Sequence, residues 1–141
     1  MSVYLDASIL VALFTNDALS ERADTFLRNA APVTVLVSDF AGAEFASAIA
    51  RRVRMGELSA GDARIAFANF DAWSARAAAR AETASADVAA AAAFLRRLDL
   101  TLRTPDALNI AIAQRLGAML ATFDVKMAAS AAALGMELAA A

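Results

Sequence analysis

The chain of 141 residues has no histidine and no cysteine. Imidazole bases, thiolate nucleophiles, Ser-His-Asp triads and histidine- or thiolate-ligated transition metals are therefore excluded. Chemistry must rest on carboxylates, hydroxyls, amides, arginines and one lysine, Lys126. Four acids depart from their surroundings. Asp6 interrupts the apolar run of "SVYLDASIL", and Glu44 lies among small apolar residues in "AGAEFASAIA". Asp106 opens "TPDALNIAIAQRLGA", and Asp124 closes "ATFD". An ionised carboxylate in an apolar setting is costly unless something compensates it. Carboxylates crowded together either hold their protons or bind a hard cation. An all-oxygen donor set suits Mg²⁺ or Mn²⁺.

The elements that would position these acids follow from periodicity and punctuation. A short strand, Ser2 to Leu5, runs directly into an apolar helix from about Ser8 to Phe14. Asn16 or Asp17 can cap a second helix of roughly Ala18 to Ala30, ended by Pro32. "VTVLV" (Val33 to Val37) is short and β-branched, as a buried parallel strand should be. Ser38 or Asp39 caps a helix from about Phe40 to Met55, stopped by Gly56. "SAGD" has capping-box spacing and opens a helix carrying Ile65, Phe67, Phe70 and Trp73.

Beyond it, a short strand is expected near Ala81 to Thr83, then a helix from about Ser85 to Leu98. Thr104 and Pro105 start the next helix, which Gly117 ends. "AMLAT" (Ala118 to Thr122) is a strand, Val125 to Leu134 a last helix, and Met136 to Leu138 a candidate edge strand. Alternating strands and helices predict one α/β domain over residues 1–141. Its expected form is a three-layer α/β/α sandwich around a mainly parallel sheet of four to five short strands.

In such sheets ligands gather at the carboxyl ends of the strands, where all four acids fall. Asp106 can also serve as a first-turn acid favouring the helix dipole, and Asp124 as the N-cap of the last helix. For Asp6 no cap or turn role calls for an acid between "VYL" and "SILVALF", and Glu44 sits mid-helix. The other acids read as caps or solvated faces.

The segments "YLDASILVALF", "AGAEFASAI", "TPDALNIAIAQRLGAMLATFD" and "KMAASAAALGMEL" resemble the PIN-domain family, in particular its small VapC-type members, the toxins of bacterial toxin–antitoxin pairs. The likeness runs over almost the whole chain in order and spacing. It implies a metal-dependent endoribonuclease in which Asp6, Glu44, Asp106 and Asp124 hold Mg²⁺ or Mn²⁺. It also implies that Ser8 and Thr122 lend hydroxyls to the acidic pocket. Many relatives carry a histidine where this chain has Asn109, which keeps a donor and an acceptor but removes any imidazole role.

With a cation in place, an activated water attacks phosphorus, and no side-chain nucleophile is needed. Arg51, seven residues after Glu44 and so on the same helix face, joins Arg103 and Lys126 as a candidate phosphate-holding rim. Arg52 is less well aligned, and Arg54 points elsewhere. The net charge of −2 argues against strong non-specific nucleic-acid binding. The apolar stripes of the first helix and the "SAGD" helix exceed what one small sheet should cover, which suggests an interface. The resemblance implies a small cognate antitoxin and a toxin homodimer. No apolar stretch approaches the ~20 residues of a membrane span, and no basic region precedes the first apolar run. A soluble cytoplasmic protein is expected. The competing reading is a catalytically weak PIN-like module that binds RNA or assembles with partners in a metal-dependent way.

Overall fold

The computed structural model describes residues 1–141. Four strands form one sheet: β1 (Ser2–Leu5), β2 (Thr34–Ser38), β3 (Ala79–Ala81) and β4 (Met119–Ala121). Its order is β3-β2-β1-β4 and every pairing is parallel, with Val3 opposite both Val35 and Met119. Seven helices connect and follow the strands: α1 (Ala7–Phe14), α2 (Ser20–Ala30), α3 (Asp39–Arg54), α4 (Ala60–Ala77), α5 (Ser85–Arg96), α6 (Thr104–Arg115) and α7 (Val125–Ala133).

The chain steps from β1 outward to β2 and β3, then returns past β1 to β4. Right-handed crossovers require the helices of the outward path and those of the return path to lie on opposite faces. The packing agrees, since α1 packs on α2, α3 and α4, while α5 packs on α6. The reversal of direction makes the carboxyl ends of β1 and β4 the topological switch point, the place where open α/β sheets bind ligands.

β1 is central and has no polar face. Val3, Tyr4 and Leu5 are all buried, as the continuous apolar run predicted. The core continues through Ile9, Leu10, Phe45, Ile49, Ile110, Ile112 and Leu120. The apolar stripes pack partly against one another and stay half-buried. Phe14 of α1 meets Phe45, Phe70 and Trp73 at ring-centroid distances of 5.9, 5.6 and 5.5 Å, and Phe45 meets Phe67 at 6.0 Å. These side chains from α1, α3 and α4 form one aromatic cluster, in which Phe45 is buried and Phe14, Phe67, Phe70 and Trp73 keep part of their surface exposed. Ile65, by contrast, is exposed.

α2 starts at Ser20 with Leu19, not Asn16 or Asp17, at its N-cap, and two strand expectations need adjustment. The third strand forms at Ala79–Ala81, two residues earlier than expected. Met136 to Leu138 does not form a strand, because only Leu138 makes an isolated parallel bridge, to Leu120. α6 ends as expected at Gly117, whose φ of 64° lets Ala118 N–H return to the Ala113 carbonyl at 3.0 Å. No helix is long and apolar enough to cross a membrane.

Candidate active site

Asp6 is the first residue past β1, and its peptide N–H donates to the Ala121 carbonyl at the end of β4 at 3.2 Å. It has a local role that the sequence hid. β1 passes into α1 without a loop, and Asp6 is the N-cap, its Oδ1 accepting the Ile9 N–H at 3.2 Å. Capping alone does not explain its remaining partners. Ser8 Oγ donates to Oδ1 at 2.6 Å and Thr122 Oγ1 donates to Oδ2 at 2.5 Å. Each hydroxyl in turn accepts a backbone N–H of the "TFD" segment, Phe123 on Ser8 at 2.9 Å and Asp124 on Thr122 at 3.0 Å. Two parallel hydrogen-bond paths thus tie the segment after β4 to the two oxygens of Asp6. Burial pushes the Asp6 carboxyl above its usual range, and the hydrogen bonds from Ser8, Thr122 and Ile9 only partly offset it.

Glu44 reaches the same region from the second turn of α3. Burial is again the main reason its carboxyl is pushed up. A hydrogen bond from Asn109 opposes this, the like charges of Asp6 and Asp106 add to it, and Arg103 pulls it down. Asp6, Glu44 and Asp106 therefore face one region, with Arg103 close by. Asp106 occupies the first turn of α6, where its Oδ2 accepts the Arg103 N–H at 3.3 Å. Asp124 caps α7 through the Met127 N–H at 3.1 Å and connects to Asp6 through Thr122. Cap roles and shared location coexist for all but Glu44. Helix N-termini are where fixed carboxylates are cheapest to hold.

No three acidic side chains stand close enough together to hold one metal ion. The donor set nevertheless fits a hard cation. It is all oxygen, and burial and like charge leave negative charge at Asp6 and Glu44 short of compensation. Mg²⁺ needs only one or two carboxylates, keeping waters for its other positions. Asp6 Oδ2 accepts one hydrogen bond and retains a lone pair for such a ligand.

Of the basic residues, Arg51 and Lys126 are exposed and their side chains make no hydrogen bond. Arg52, the poorly aligned neighbour, is held at the opposite task of tying α3 to the α1–α2 turn. It pairs with Asp17 at 3.1 Å and donates to Thr15 at 3.2 Å. A cavity of about 520 Å³ lies elsewhere, between α3, α4 and β3, lined among others by Asp39, Phe70, Asp71 and Arg80. Sequence reading overlooked the Tyr4 hydroxyl and its bond at 2.6 Å to Ser38, a residue read only as a helix cap; both are buried. The available signal was the only tyrosine of the chain placed inside a buried strand, where its hydroxyl must find a partner.

A four-stranded parallel sheet flanked by helices, with Asp6 at the carboxyl end of β1, defines a small α/β domain. The PIN-domain family model matches residues 3–133, and the chain belongs to that family. Solved structures agree on the fold. VapC20 of Mycobacterium tuberculosis, a sarcin–ricin loop cleaving toxin, superposes with a TM-score of 0.74 at 22% identity, over 92% of this chain and 95% of that one. VapBC-1 from nontypeable Haemophilus influenzae gives 0.68 at 14% identity over 98% and 96%. A toxin–antitoxin complex from Klebsiella pneumoniae gives 0.58 at 21% identity over 89% and 88%. No curated protein matches the sequence.

Proposed function

We propose that this chain is a metal-dependent endoribonuclease and the toxin of a VapBC-type toxin–antitoxin pair. The observation that carries the reading is the buried Asp6 carboxylate. It is bridged through Ser8 and Thr122 to the segment bearing Asp124, on the region that Glu44 and Asp106 share. Asp6 and Asp106 are the first choices as direct ligands of Mg²⁺ or Mn²⁺, with Glu44 and Asp124 completing the shell or orienting water. Held by these residues, a divalent cation would supply Lewis-acid chemistry at the scissile phosphate and would make a bound water more acidic.

The chain's own contribution is positional. Ser8 and Thr122 fix the Asp6 carboxylate in one orientation, and α6 presents Asp106 from a rigid first turn. Arg51, Arg103 and Lys126 supply positive charge for the RNA backbone. The partner reading, a small cognate antitoxin and a toxin homodimer, draws support from relatives of the same fold that are toxin–antitoxin complexes.

The test is cleavage of structured RNA by the purified chain. Turnover should require Mg²⁺ or Mn²⁺ and should vanish in Asp6→Asn and Asp106→Asn variants that keep their circular dichroism. Asparagine is itself a good N-cap, so Asp6→Asn removes charge without removing the cap. Binding of metal and RNA with no cleavage by the wild type would instead make the chain a binding module.

A further inference from the structure

A buried polar line crosses the core and ends at the acidic site. It starts at Ser38, the last residue of β2, passes through Tyr4 on β1 and Asn109 on α6, and stops at Glu44. Tyr4, Ser38 and Asn109 are 0%, 1% and 2% exposed, so water does not compete for their bonds.

Proton counting gives the line one direction. The Tyr4 hydroxyl has a single proton and donates it to Asn109 Oδ1 at 2.5 Å. Ser38 must therefore donate across its 2.6 Å contact with Tyr4, while its own oxygen accepts the Ala41 N–H at 2.9 Å. The Asn109 amide has two protons. One goes to the Pro105 carbonyl at 3.0 Å and the other to Glu44 Oε1 at 2.5 Å. A flipped amide would turn its oxygen onto two acceptors that cannot donate, the Pro105 carbonyl and an ionised Glu44. Each donor is used, and the only end that leaves the core is the Glu44 carboxylate.

A core position that merely fills space is served as well by Phe, Ala or Leu, which bring no groups needing partners. Three buried polar side chains from three elements, aligned head to tail on one acid, point to a positioning task. We propose that Ser38, Tyr4 and Asn109 are positioning residues that hold the Glu44 carboxylate in a single orientation at the acidic site, with Ser38 and Tyr4 acting through Asn109. The consequence for function rests on the metal-nuclease reading above, whereas the lock on Asn109 does not. Partners one layer behind a metal ligand typically change metal affinity or activity by about 10- to 100-fold when removed.

The experiment uses the full chain with ¹⁵N label. In the wild type the two side-chain amide protons of Asn109, assigned by their loss in Asn109→Asp, should be separate resonances protected from solvent exchange. Tyr4→Phe keeps the ring and removes only the hydroxyl. That variant should lose the protection while retaining its circular dichroism. Its Mn²⁺ affinity by calorimetry should fall about 10-fold, with kcat on RNA falling alike and KM moving less than about twofold. Asn109→Asp, which replaces the donor to Glu44 with an acceptor, should fall at least as far.

Freely exchanging Asn109 protons in the wild type overturn the lock whether or not any variant folds. Unchanged Mn²⁺ affinity and kcat in folded Tyr4→Phe overturn its role in positioning Glu44. If the wild type binds no Mn²⁺, the metal-nuclease reading fails. The amide protection then still decides the line: its loss in Tyr4→Phe upholds the lock on Asn109, and its retention overturns it.

Discussion

Asp6 carries three side-chain hydrogen bonds and still holds its proton more tightly than an exposed aspartate, because burial outweighs them. Glu44 is pushed the same way, above the ordinary values of 3.8 and 4.5 for the two groups. In the window above those values the folded chain binds more protons than the unfolded chain at these sites, so stability falls as pH rises through it. Asp39 and Asp87 lie on the other side of 3.8, lowered by hydrogen bonds from Thr83 and Arg115 respectively. Their contribution is complete above 3.8 and is lost only as pH drops through their lower folded values. The two effects separate in pH. Urea unfolding of metal-free protein should show stability declining as pH rises above about 4.5, and Asp6→Asn should shrink that decline. A curve that rises across the window would contradict the assignment. At the same scale, Arg51, Arg103 and Lys126 are expected to meet phosphates. Replacing any one with Ala should lower the slope of log affinity against log salt by roughly 0.7 for single-stranded RNA. Three unchanged slopes would remove the rim.

At the scale of elements, all seven helices and the three longer-signalled strands were legible, because caps and periodicity are local. Ser38, Ser59 and Gly117 act where their types said they would. What stayed hidden was non-local. The Asp6 cap was masked by a strand that enters its helix without a loop. The Tyr4 bonds join residues 34 and 105 positions apart, a separation no periodicity encodes. The aromatic face of α4 was visible, but not that Phe14 and Phe45 pack against it. The end of α5 was placed at Leu98, yet the helix stops at Arg96, and Leu98 adopts a φ of 66° while 90% exposed. A left-handed conformation costs a non-glycine residue about 1–2 kcal/mol, whereas glycine's extra unfolded-state entropy costs about 0.4–1 kcal/mol. Leu98→Gly should therefore stabilise the protein by roughly 0.5–1 kcal/mol, read from the urea midpoint at constant m-value. Destabilisation would mean that Leu98 contributes packing which its exposure denies.

At the scale of the whole molecule, the order β3-β2-β1-β4 puts the switch point of the sheet between β1 and β4. Asp6 follows the central strand, "TFD" follows its neighbour on the return side, and α3 and α6 bring Glu44 and Asp106 over the same edge. Such an arrangement concentrates negative charge where the fold is least able to solvate it. A ligand that binds only the folded state stabilises it by RT ln(1 + [L]/Kd), about 2.7 kcal/mol at a hundredfold excess over Kd. For a domain of this size that corresponds to a rise in Tm of roughly 5–10 °C. Mn²⁺ should produce such a rise, a chelator should reverse it, and Asp6→Asn should abolish most of it. Calcium-sized or monovalent cations should do less, since the site offers few fixed oxygens and relies on retained water, which suits the smaller ion. Because the readout is thermal and needs no RNA, it isolates cation binding from cleavage. A Tm that does not move with Mn²⁺ up to roughly 10 mM would leave the acids as helix caps sharing an edge, and the nuclease reading would lose its chemistry.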